Sequence, residues 1–370
     1  IPAQLMNYAK ASRPQRSGTA TALSDKFPET LEKIFHVLQS RTGHDFSAYK
    51  KSTICRRIDR RMNLQQIENP ADYLRLLEQN AQEAETLFND LLIGVTSFFR
   101  DPEAFKILSR VLKEMLAKTP KDSTLRVWVP GCSSGEEVYS IAIVLRECMD
   151  ALKKHFTVQI FGTDIDAEAI EAAREGIYPG TIANYVAPER LRRFFFDESD
   201  GFRIKKEIRE MAIFSIQDLV KDPPFTKLDL LSCRNLLIYL DAALQKRLVP
   251  LFHYALRPDG ILFLGPYESI DGYVDLFAER NRRWKIFTRR DLKHGAGASL
   301  PVPFAPPRYD TNETTSRGQR AASRDPRISG VAEKLLLHRY APPCALVNKS
   351  GEILYSHGPT SRYLALPQGQ

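Results

Sequence analysis

Residues 125–166 read LRVWVPGCSSGEEVYSIAIVLRECMDALKKHFTVQIFGTDID, and this stretch decides the fold class. Two short apolar runs, Leu125–Val129 and Thr157–Gly162, have the length of buried strands, and Glu136–Met149 between them has the length and spacing of a helix. The alternation of strand-like and helical runs continues to about residue 287. It predicts an α/β fold in which helices cover both faces of a mostly parallel sheet.

The residues that follow the two strands carry the chemistry, because ligands of open α/β sheets bind beyond the carboxyl ends of the strands. Gly131 and Gly135 open the loop after the first strand, where they let the backbone approach a ligand closely. Glu136 and Glu137 begin the helix, where they would repel a phosphate but accept an ammonium or sulfonium group. Asp164, after the second strand, is placed to accept hydrogen bonds from ribose hydroxyls. The pattern predicts a nucleoside ligand and leaves adenosylmethionine and a dinucleotide both open.

The composition excludes several classes of protein. The chain has 370 residues, a net charge of +8, 43% hydrophobic and 26% charged residues, which is ordinary globular usage and rules out a wholly disordered chain. No apolar run approaches the roughly 18 residues that span a bilayer, so we expect no membrane insertion. The five cysteines contain no C-x-x-C pair and the seven histidines no H-E-x-x-H motif. This usage predicts a cytoplasmic protein with reduced thiols and no metal site.

Periodicity and composition divide the chain. Apolar residues at helical spacing, such as Ile34 and Leu38, predict a helical domain near its start. The aromatic run Phe194–Phe196 and a turn at Asp197–Gly201 interrupt the sheet pattern and predict a small inserted antiparallel subdomain. Because the chain begins at Ile1, we expect a piece of a longer protein. The predicted divisions are the tail of a preceding domain at 1–10, a linker at 11–26, a helical domain at 27–100, a sheet domain at 101–290 with the insertion at 176–217, a disordered linker at 291–327 and an incomplete domain at 328–370.

Four separated motifs give the sequence a specific resemblance. They are Thr96-Ser97-Phe98-Phe99-Arg100, GCSSGEE at 131–137, FGTDID at 161–166 and SCRNLLIY at 232–239, in this order. Residues 27–290 thereby resemble the CheR-type chemotaxis receptor glutamate methyltransferases. The resemblance implies a Rossmann-like class I SAM-dependent methyltransferase sheet with an inserted small antiparallel β subdomain and an N-terminal all-helical domain.

The same resemblance implies S-adenosylmethionine as cofactor, S-adenosylhomocysteine as product and an acidic helical segment of a chemoreceptor as partner. Arg100 would pair with the methionine carboxylate and Tyr239 would lie near the transferring methyl group, so these two are the catalytic candidates. Gly94 and Asp218 depart from the family pattern, since asparagine is frequent at both positions. The cofactor-binding residues that the resemblance implies are Thr96, Arg100, Gly131, Glu137, Asp164, Asp218, Leu219, Arg234 and Asn235.

The flanks of the chain carry two further resemblances. Residues 1–10 resemble the last helix of a CheB-type methylesterase, and residues 328–370 resemble the start of a PAS domain. The parent protein would then be a CheB/CheR fusion with a fused methylesterase and PAS modules. A turn at Asn348–Gly351 lies between two apolar runs and predicts a hairpin in the PAS-like part.

A basic run at 50–61 reads KKSTICRRIDRR. On a helix its arginines stack as like-charged pairs four residues apart, which costs stability unless an anion is near. We interpret the run as the surface that docks the acidic receptor helix, although a solvated face or a contact with nucleic acid would produce the same pattern. The docking candidates are Arg56, Arg57, Arg60 and Arg61.

Two alternative functions remain at this stage. Asp222-Pro223-Pro224-Phe225 resembles the D-P-P-[YF] motif of methyltransferases that modify exocyclic amino groups of bases. In those enzymes the motif follows a strand, whereas here it precedes the strand-like run at 228–233, so we interpret it as a loop and expect no nucleic-acid partner. The other alternative is a non-catalytic scaffold that binds adenosylmethionine within a signalling fusion.

Overall fold

A computed structural model describes residues 27–92, 94–270 and 272–291, together with two strands at 344–347 and 353–357. The chain divides into two compact units, residues 1–306 and 307–370. No helix within the described ranges is both long and apolar enough to cross a membrane. The predictions for residues 1–26 and for the linker after residue 291 fall outside the described part of the chain.

Four helices form the N-terminal helical domain, as the sequence predicts. Local signals set where they begin, since Pro28 and Pro70 occupy first-turn positions and the side chains of Asn69 and Asn80 accept backbone N–H groups as N-caps. Their apolar faces pack into one core that includes the fully buried Leu38. The helices are α1 (Pro28–Thr42), α2 (Lys51–Leu64), α3 (Pro70–Gln79) and α4 (Ala81–Leu91).

A seven-stranded sheet with flanking helices forms the second domain and confirms the predicted α/β class. Its strands lie in the order β6-β2-β1-β7-β8-β10-β9; the first five are parallel, and β10 pairs antiparallel with both β8 and β9. The strands are β1 (Thr124–Pro130), β2 (Thr157–Asp164), β6 (Ala212–Ile216), β7 (Leu228–Cys233), β8 (Leu256–Leu264), β9 (Phe277–Asn281) and β10 (Ile286–Arg289). The main helices are α5 (Pro102–Lys118), α6 (Glu136–Leu152), α7 (Ala167–Glu175) and α10 (Ala242–Ala255).

The inserted subdomain is shorter than the predicted range 176–217. Three antiparallel strands in the order β3-β5-β4 form it, but β6 at 212–216 pairs in parallel with β2 and belongs to the main sheet. Periodicity could not show this, because a short apolar run has the same pattern in either sheet. The inserted elements are β3 (Ile177–Pro179), α8 (Pro188–Phe194), β4 (Phe195–Glu198), β5 (Gly201–Ile204) and α9 (Lys206–Arg209).

The second unit is described only by two strands. β11 (Cys344–Val347) and β12 (Ile353–His357) pair antiparallel, with Cys344 opposite His357. This pairing confirms the two arms of the predicted hairpin, whose turn lies outside the described residues.

A short backbone seam joins the helical domain to the sheet domain. Tyr49, just before α2, forms an isolated antiparallel bridge with Leu240, which follows β7. The Lys50 N–H donates to the Tyr239 carbonyl at 2.8 Å, and the Asp241 N–H donates to the Ala48 carbonyl at 2.9 Å. The start of the basic helix is therefore held beside the segment that carries Tyr239.

A buried ion pair inside the helical domain gives a stability prediction. Glu83 has 4% of its side chain exposed and accepts hydrogen bonds from Arg61 at 2.6 and 3.0 Å, from Gln65 at 2.6 Å and from Tyr73 at 2.8 Å. Glu83→Ala leaves the Arg61 charge without its main partner, so we expect the free energy of unfolding to fall by about 3 kcal/mol. Urea unfolding followed by far-UV circular dichroism measures the change.

Glu103→Ala, which removes an exposed partner of Lys106, is the matched control and should leave the urea midpoint unchanged. Equal midpoints for both variants would contradict the assignment.

Candidate functional site

A cleft opens where the carboxyl ends of β1, β2 and β7 meet the helical domain. Parallel pairing brings the strand ends together, since Pro130 lies opposite Thr163 in the β1–β2 register and Asp164 lies opposite Ile216 in the β2–β6 register. Each predicted cofactor-binding residue and both catalytic candidates line this cleft: Thr96, Arg100, Gly131, Glu137, Asp164, Asp218, Leu219, Arg234, Asn235 and Tyr239.

The glycine loop after β1 is bound to the tip of β2 through Asp164. Gly131 has φ +66°, and a Cβ on it would lie 3.0 Å from the Leu236 side chain, so only glycine suits this turn. The Asp164 carboxylate accepts the Ser133 N–H at 2.7 Å and the Asp166 N–H at 3.0 Å. Asp166 in turn caps α7 by accepting the Ala169 N–H at 3.0 Å. Burial raises the pKa of the Asp164 carboxyl despite these backbone donors.

Arg234 lies behind the cleft wall as a fully buried guanidinium. It donates to Glu137 at 3.0 Å, to Asp101 at 2.7 Å and to the carbonyl of Arg100 at 3.0 Å. Its side chain is 0% exposed and also lies over the rings of two buried phenylalanines. Arg234 is 6% exposed as a residue and 0% exposed in its side chain, so its charged group is closed off from solvent and orders these three neighbours.

The 96–101 motif follows a backbone path that ordinary residues rarely adopt. Phe99 has φ +50° and Asp101 has φ +61°, and such conformations cost free energy that the surrounding contacts must offset. The Phe99 N–H donates to the buried Ser140 hydroxyl at 2.9 Å, which holds the turn. Arg100 donates to the Val95 carbonyl at 2.9 Å, and the other donors of its half-buried guanidinium, at the rim of the cleft, have no partner among the described residues.

Glu268 is a buried carboxylate that the sequence analysis did not single out. It accepts the backbone N–H groups of Gly265 at 2.6 Å, Leu237 at 2.8 Å and Asn235 at 3.0 Å. Burial raises the pKa of this carboxyl, although the backbone donors oppose the effect. Glu268, which does not line the cleft, therefore positions the backbone of Asn235 and Leu237.

The helical domain supplies part of the cleft wall, which sequence reasoning missed. Gln217 on the sheet domain was also missed, and its buried Oε1 finds no donor within the described residues. Only the adjacency of Gln217 to Asp218 could have suggested it, and no sequence signal separates these helical-domain residues from ordinary core positions. The residues that the helical domain contributes are Tyr49, Thr53, Ile54, Leu91 and Leu92.

The basic surface is smaller than the sequence predicts. Arg56 and Arg60 are exposed, Arg57 is half-buried, and these three form no ion pair within the described part of the chain. Arg61 differs, because its guanidinium is 14% exposed and pairs with Glu83 at 2.6 Å. Arg61 therefore adds little net charge to the basic surface, since Glu83 neutralises it inside the helical domain.

The D-P-P-F segment is a loop before β7, as the sequence predicts. Phe225 stacks on Phe161 with ring centroids 4.3 Å apart and packs edge-on against Trp128 at 5.6 Å. The motif lies at the amino end of β7, while SCRN occupies the carboxyl end that lines the cleft. Its aromatic ring is used in packing and does not face the site where a flipped base would have to bind.

Comparison with known proteins gives consistent matches along the chain. Residues 94–286 match the CheR methyltransferase SAM-binding domain, and residues 29–92 match the CheR methyltransferase all-alpha domain. The chain is 30% identical over 272 residues to a chemotaxis protein methyltransferase of Salmonella typhimurium, covering 70% of this chain and 90% of that protein. A chemotaxis protein methyltransferase of Borreliella burgdorferi is 30% identical over 256 residues, which cover 67% of this chain and 90% of that protein.

A longer relative matches almost the whole chain. An uncharacterized 104.1 kDa protein of Rhodobacter capsulatus is 36% identical over 353 residues, which are 92% of this chain. The match covers 35% of that protein, so the chain spans about a third of the length of this relative.

Arg234 and Arg100 should differ in how much each contributes to the stability of the fold, because only the charge of Arg234 is fully buried. Arg234→Met leaves the carboxylates of Glu137 and Asp101 without their shared cation, so we expect a loss of several kcal/mol in the free energy of unfolding. Arg100→Met removes a rim arginine whose guanidinium makes one hydrogen bond within the described residues, to the Val95 carbonyl, and should change stability little. Thermal unfolding of both variants measures the contrast. Equal losses would show that Arg234 is not the ordering group.

Proposed function

Since the chain belongs to the CheR methyltransferase family, we propose that it methylates glutamate side chains of a chemoreceptor, with S-adenosylmethionine as the methyl donor. The observation that carries the proposal is the position of the basic helix. α2 begins at the mouth of the cleft, where Thr53 lines the wall, and Arg56, Arg57 and Arg60 follow on the same side at helical spacing. An acidic helix that lies along these arginines would present its carboxylates to the cleft.

The residues of the cleft fit the cofactor of the family. The Asp164 carboxylate at the tip of β2 offers acceptor sites for ribose hydroxyls, and Gln217 Oε1 is a buried acceptor without a donor in the described structure. An exocyclic amino group, such as that of adenine, would satisfy such an acceptor. Arg100 has spare guanidinium donors for the methionine carboxylate. These individual roles remain proposals that the cleft geometry supports.

The proposed reaction requires no general base from the protein. A glutamate carboxylate is ionised near pH 7 and is therefore already a nucleophile. The bound S-adenosylmethionine supplies an electrophilic methyl group. The work left to the chain is to bind both reactants, to orient the carboxylate and to exclude water. Tyr239, held by the seam to Lys50, lies where the two domains meet and is the candidate for orienting the reacting groups.

We also propose the wider setting that the sequence resemblance implies. The chain would form part of a fusion in which a methylesterase precedes it and PAS modules follow it, in the cytoplasm. The match to about a third of a 104.1 kDa relative supports a longer parent protein. The identity of the fused modules stays a prediction.

Methyl incorporation tests the function directly. The full chain is incubated with S-adenosylmethionine labelled in the methyl group and either a glutamate-rich receptor helix fragment, the same fragment with glutamine at each site, or duplex DNA. We expect label only in the glutamate fragment, released by mild alkali as expected for a methyl ester.

Arg100→Ala should raise the dissociation constant for S-adenosylhomocysteine about tenfold, because a charge-assisted pair with a carboxylate is lost. Arg110→Ala, at an exposed position on α5, is the control.

The alternatives give different results in the same assay. Label in the DNA would support the nucleic-acid reading, and cofactor binding without any transfer would support the scaffold. Unchanged cofactor binding by the Arg100 variant would contradict the role given to that residue.

Charge reversal tests the docking surface. The triple variant R56E/R57E/R60E should raise KM for the receptor fragment about tenfold or more, because an attraction becomes a repulsion, while the dissociation constant for the cofactor stays unchanged. Activity of the unaltered protein should fall as salt rises. Reversal of three exposed charges on α5, R110E/K113E/K118E, is the matched control. An equal effect of both triple variants would mean that only the total charge matters.

A further inference from the structure

A chain of three polar side chains joins the helical domain to the wall of the cleft. His44 Nδ1 lies 2.9 Å from Asp218 Oδ2, and His44 Nε2 lies 3.2 Å from the Tyr49 hydroxyl. Among the described residues, His44–Asp218 is the one contact between a basic and an acidic side chain that joins the helical domain to the sheet domain. The link therefore connects two domains at the point where both form the ligand site.

The three groups are largely withdrawn from water. The His44 side chain is 7% exposed and that of Asp218 is 14% exposed. A carboxylate in such a position needs donors, and Asp218 has two close ones, the Val220 N–H at 2.8 Å and His44. Lys221 Nζ lies farther away, at 3.8 Å, and donates its hydrogen bond to the Gly43 carbonyl.

The contacts of His44 determine the direction of the hydrogen bonds. Burial, with the nearby charges of Asp218 and Asp164, raises the pKa of the Tyr49 phenol, so its hydroxyl keeps its proton and can donate to Nε2. Because the Asp218 carboxylate can only accept, Nδ1 donates to it, and Nε2 accepts from the Tyr49 hydroxyl when the ring is neutral. Burial alone would raise the pKa of the Asp218 carboxyl, but the hydrogen bonds from His44 and the Val220 amide lower it.

His44 does not line the cleft, so its role differs from that of Tyr49 and Asp218. Tyr49 and Asp218 line the cleft, whereas His44 is not among the lining residues and lies behind them. Both ring nitrogens are engaged, so a rotation of the ring would break one contact or both. His44 can therefore influence a ligand only through the placement of the tyrosine and the carboxylate.

We propose that His44 is a positioning residue of the cofactor site, through which the helical domain fixes Asp218 and Tyr49 and so sets how tightly the cofactor binds. This inference rests on the proposed function, because Asp218 matters only if the cleft holds the cofactor. Removal of the imidazole leaves a buried carboxylate with one fewer donor and frees the phenol to move.

Titration calorimetry with S-adenosylhomocysteine between pH 5.5 and pH 8.5 tests the proposal. We expect His44→Ala to weaken binding about tenfold at pH 8. His44→Asn, whose amide can still donate to Asp218, should stay within about threefold of the unaltered protein. His36→Ala, at an exposed position on α1, is the control and should bind normally. In the Asp218→Asn background the carboxylate is gone, so the further change His44→Ala should cost less than about threefold.

The pH dependence distinguishes positioning from a general loss of structure. Without His44 the burial of Asp218 is no longer opposed by that donor, and its carboxyl should take up a proton more readily as the pH falls. The groups that face it are Lys221, Tyr49 and the Asp222 carboxylate, which accepts the Asp218 N–H at 2.8 Å. A protonated Asp218 no longer needs the imidazole as a donor, so the loss caused by His44→Ala should be smaller at pH 5.5 than at pH 8.5, and the double variant should show no such change.

The outcomes separate this inference from the proposed function. An equal loss at every pH, an equal loss in the Asp218→Asn background, or normal binding by His44→Ala would overturn the positioning role while the methyltransferase stands. Failure of the unaltered protein to bind S-adenosylhomocysteine would overturn the proposed function itself. If thermal unfolding shows that His44→Ala does not fold, the comparison of His44→Asn with Asp218→Asn still tests the proposal. Equal and large losses of affinity for S-adenosylhomocysteine in these two variants would contradict it.

Discussion

The buried guanidinium of Arg234 is the interaction on which the site depends. A charge with no solvent exposure is tolerated only when several acceptors surround it, and here two carboxylates and a backbone carbonyl do so. These acceptors come from two separate parts of the cleft: Glu137 from the start of α6, and Asp101 and the Arg100 carbonyl from the turn at 96–101. The need to compensate one charge therefore holds together segments that would otherwise be independent loops.

A second buried charge, the Glu268 carboxylate, holds the 232–239 segment through its backbone. Glu268 compensates its own burial by accepting several backbone N–H groups, and Gly265 is required beside it because a Cβ there would lie 2.8 Å from the carboxylate. A cation on one side and an anion on the other thus fix the backbone that leads to Tyr239. Contacts within the protein thus order the polar residues around the cleft, and such preorganisation lowers the entropic cost of binding a ligand.

Two domains, and not one, build the cleft. The backbone seam at Tyr49 and Leu240 and the pair of His44 with Asp218 place the first turn of the basic helix beside the strand ends. The position of charge along this helix follows from packing. Arg57 and Arg61 lie one turn apart. The charge of Arg61 is neutralised by the buried Glu83, whereas Arg57 has no ion pair in the described structure. A partner of opposite charge would meet only the part of the basic run nearest the cleft.

The sequence by itself determined the α/β class, the helical first domain and the glycine and aspartate residues at the ends of the first two strands, because strand and helix periods and short motifs at strand ends are local patterns that survive without tertiary contacts. Tertiary structure alone decided three things. It assigned β6 to the main sheet and not to the insertion, since pairing partners are non-local. It removed Arg61 from the basic surface and moved the Arg234 charge behind the wall, since burial depends on what packs opposite. It brought His44 and Tyr49 to the cofactor side, since contacts between residues about 170 positions apart leave no trace in the spacing of a single chain.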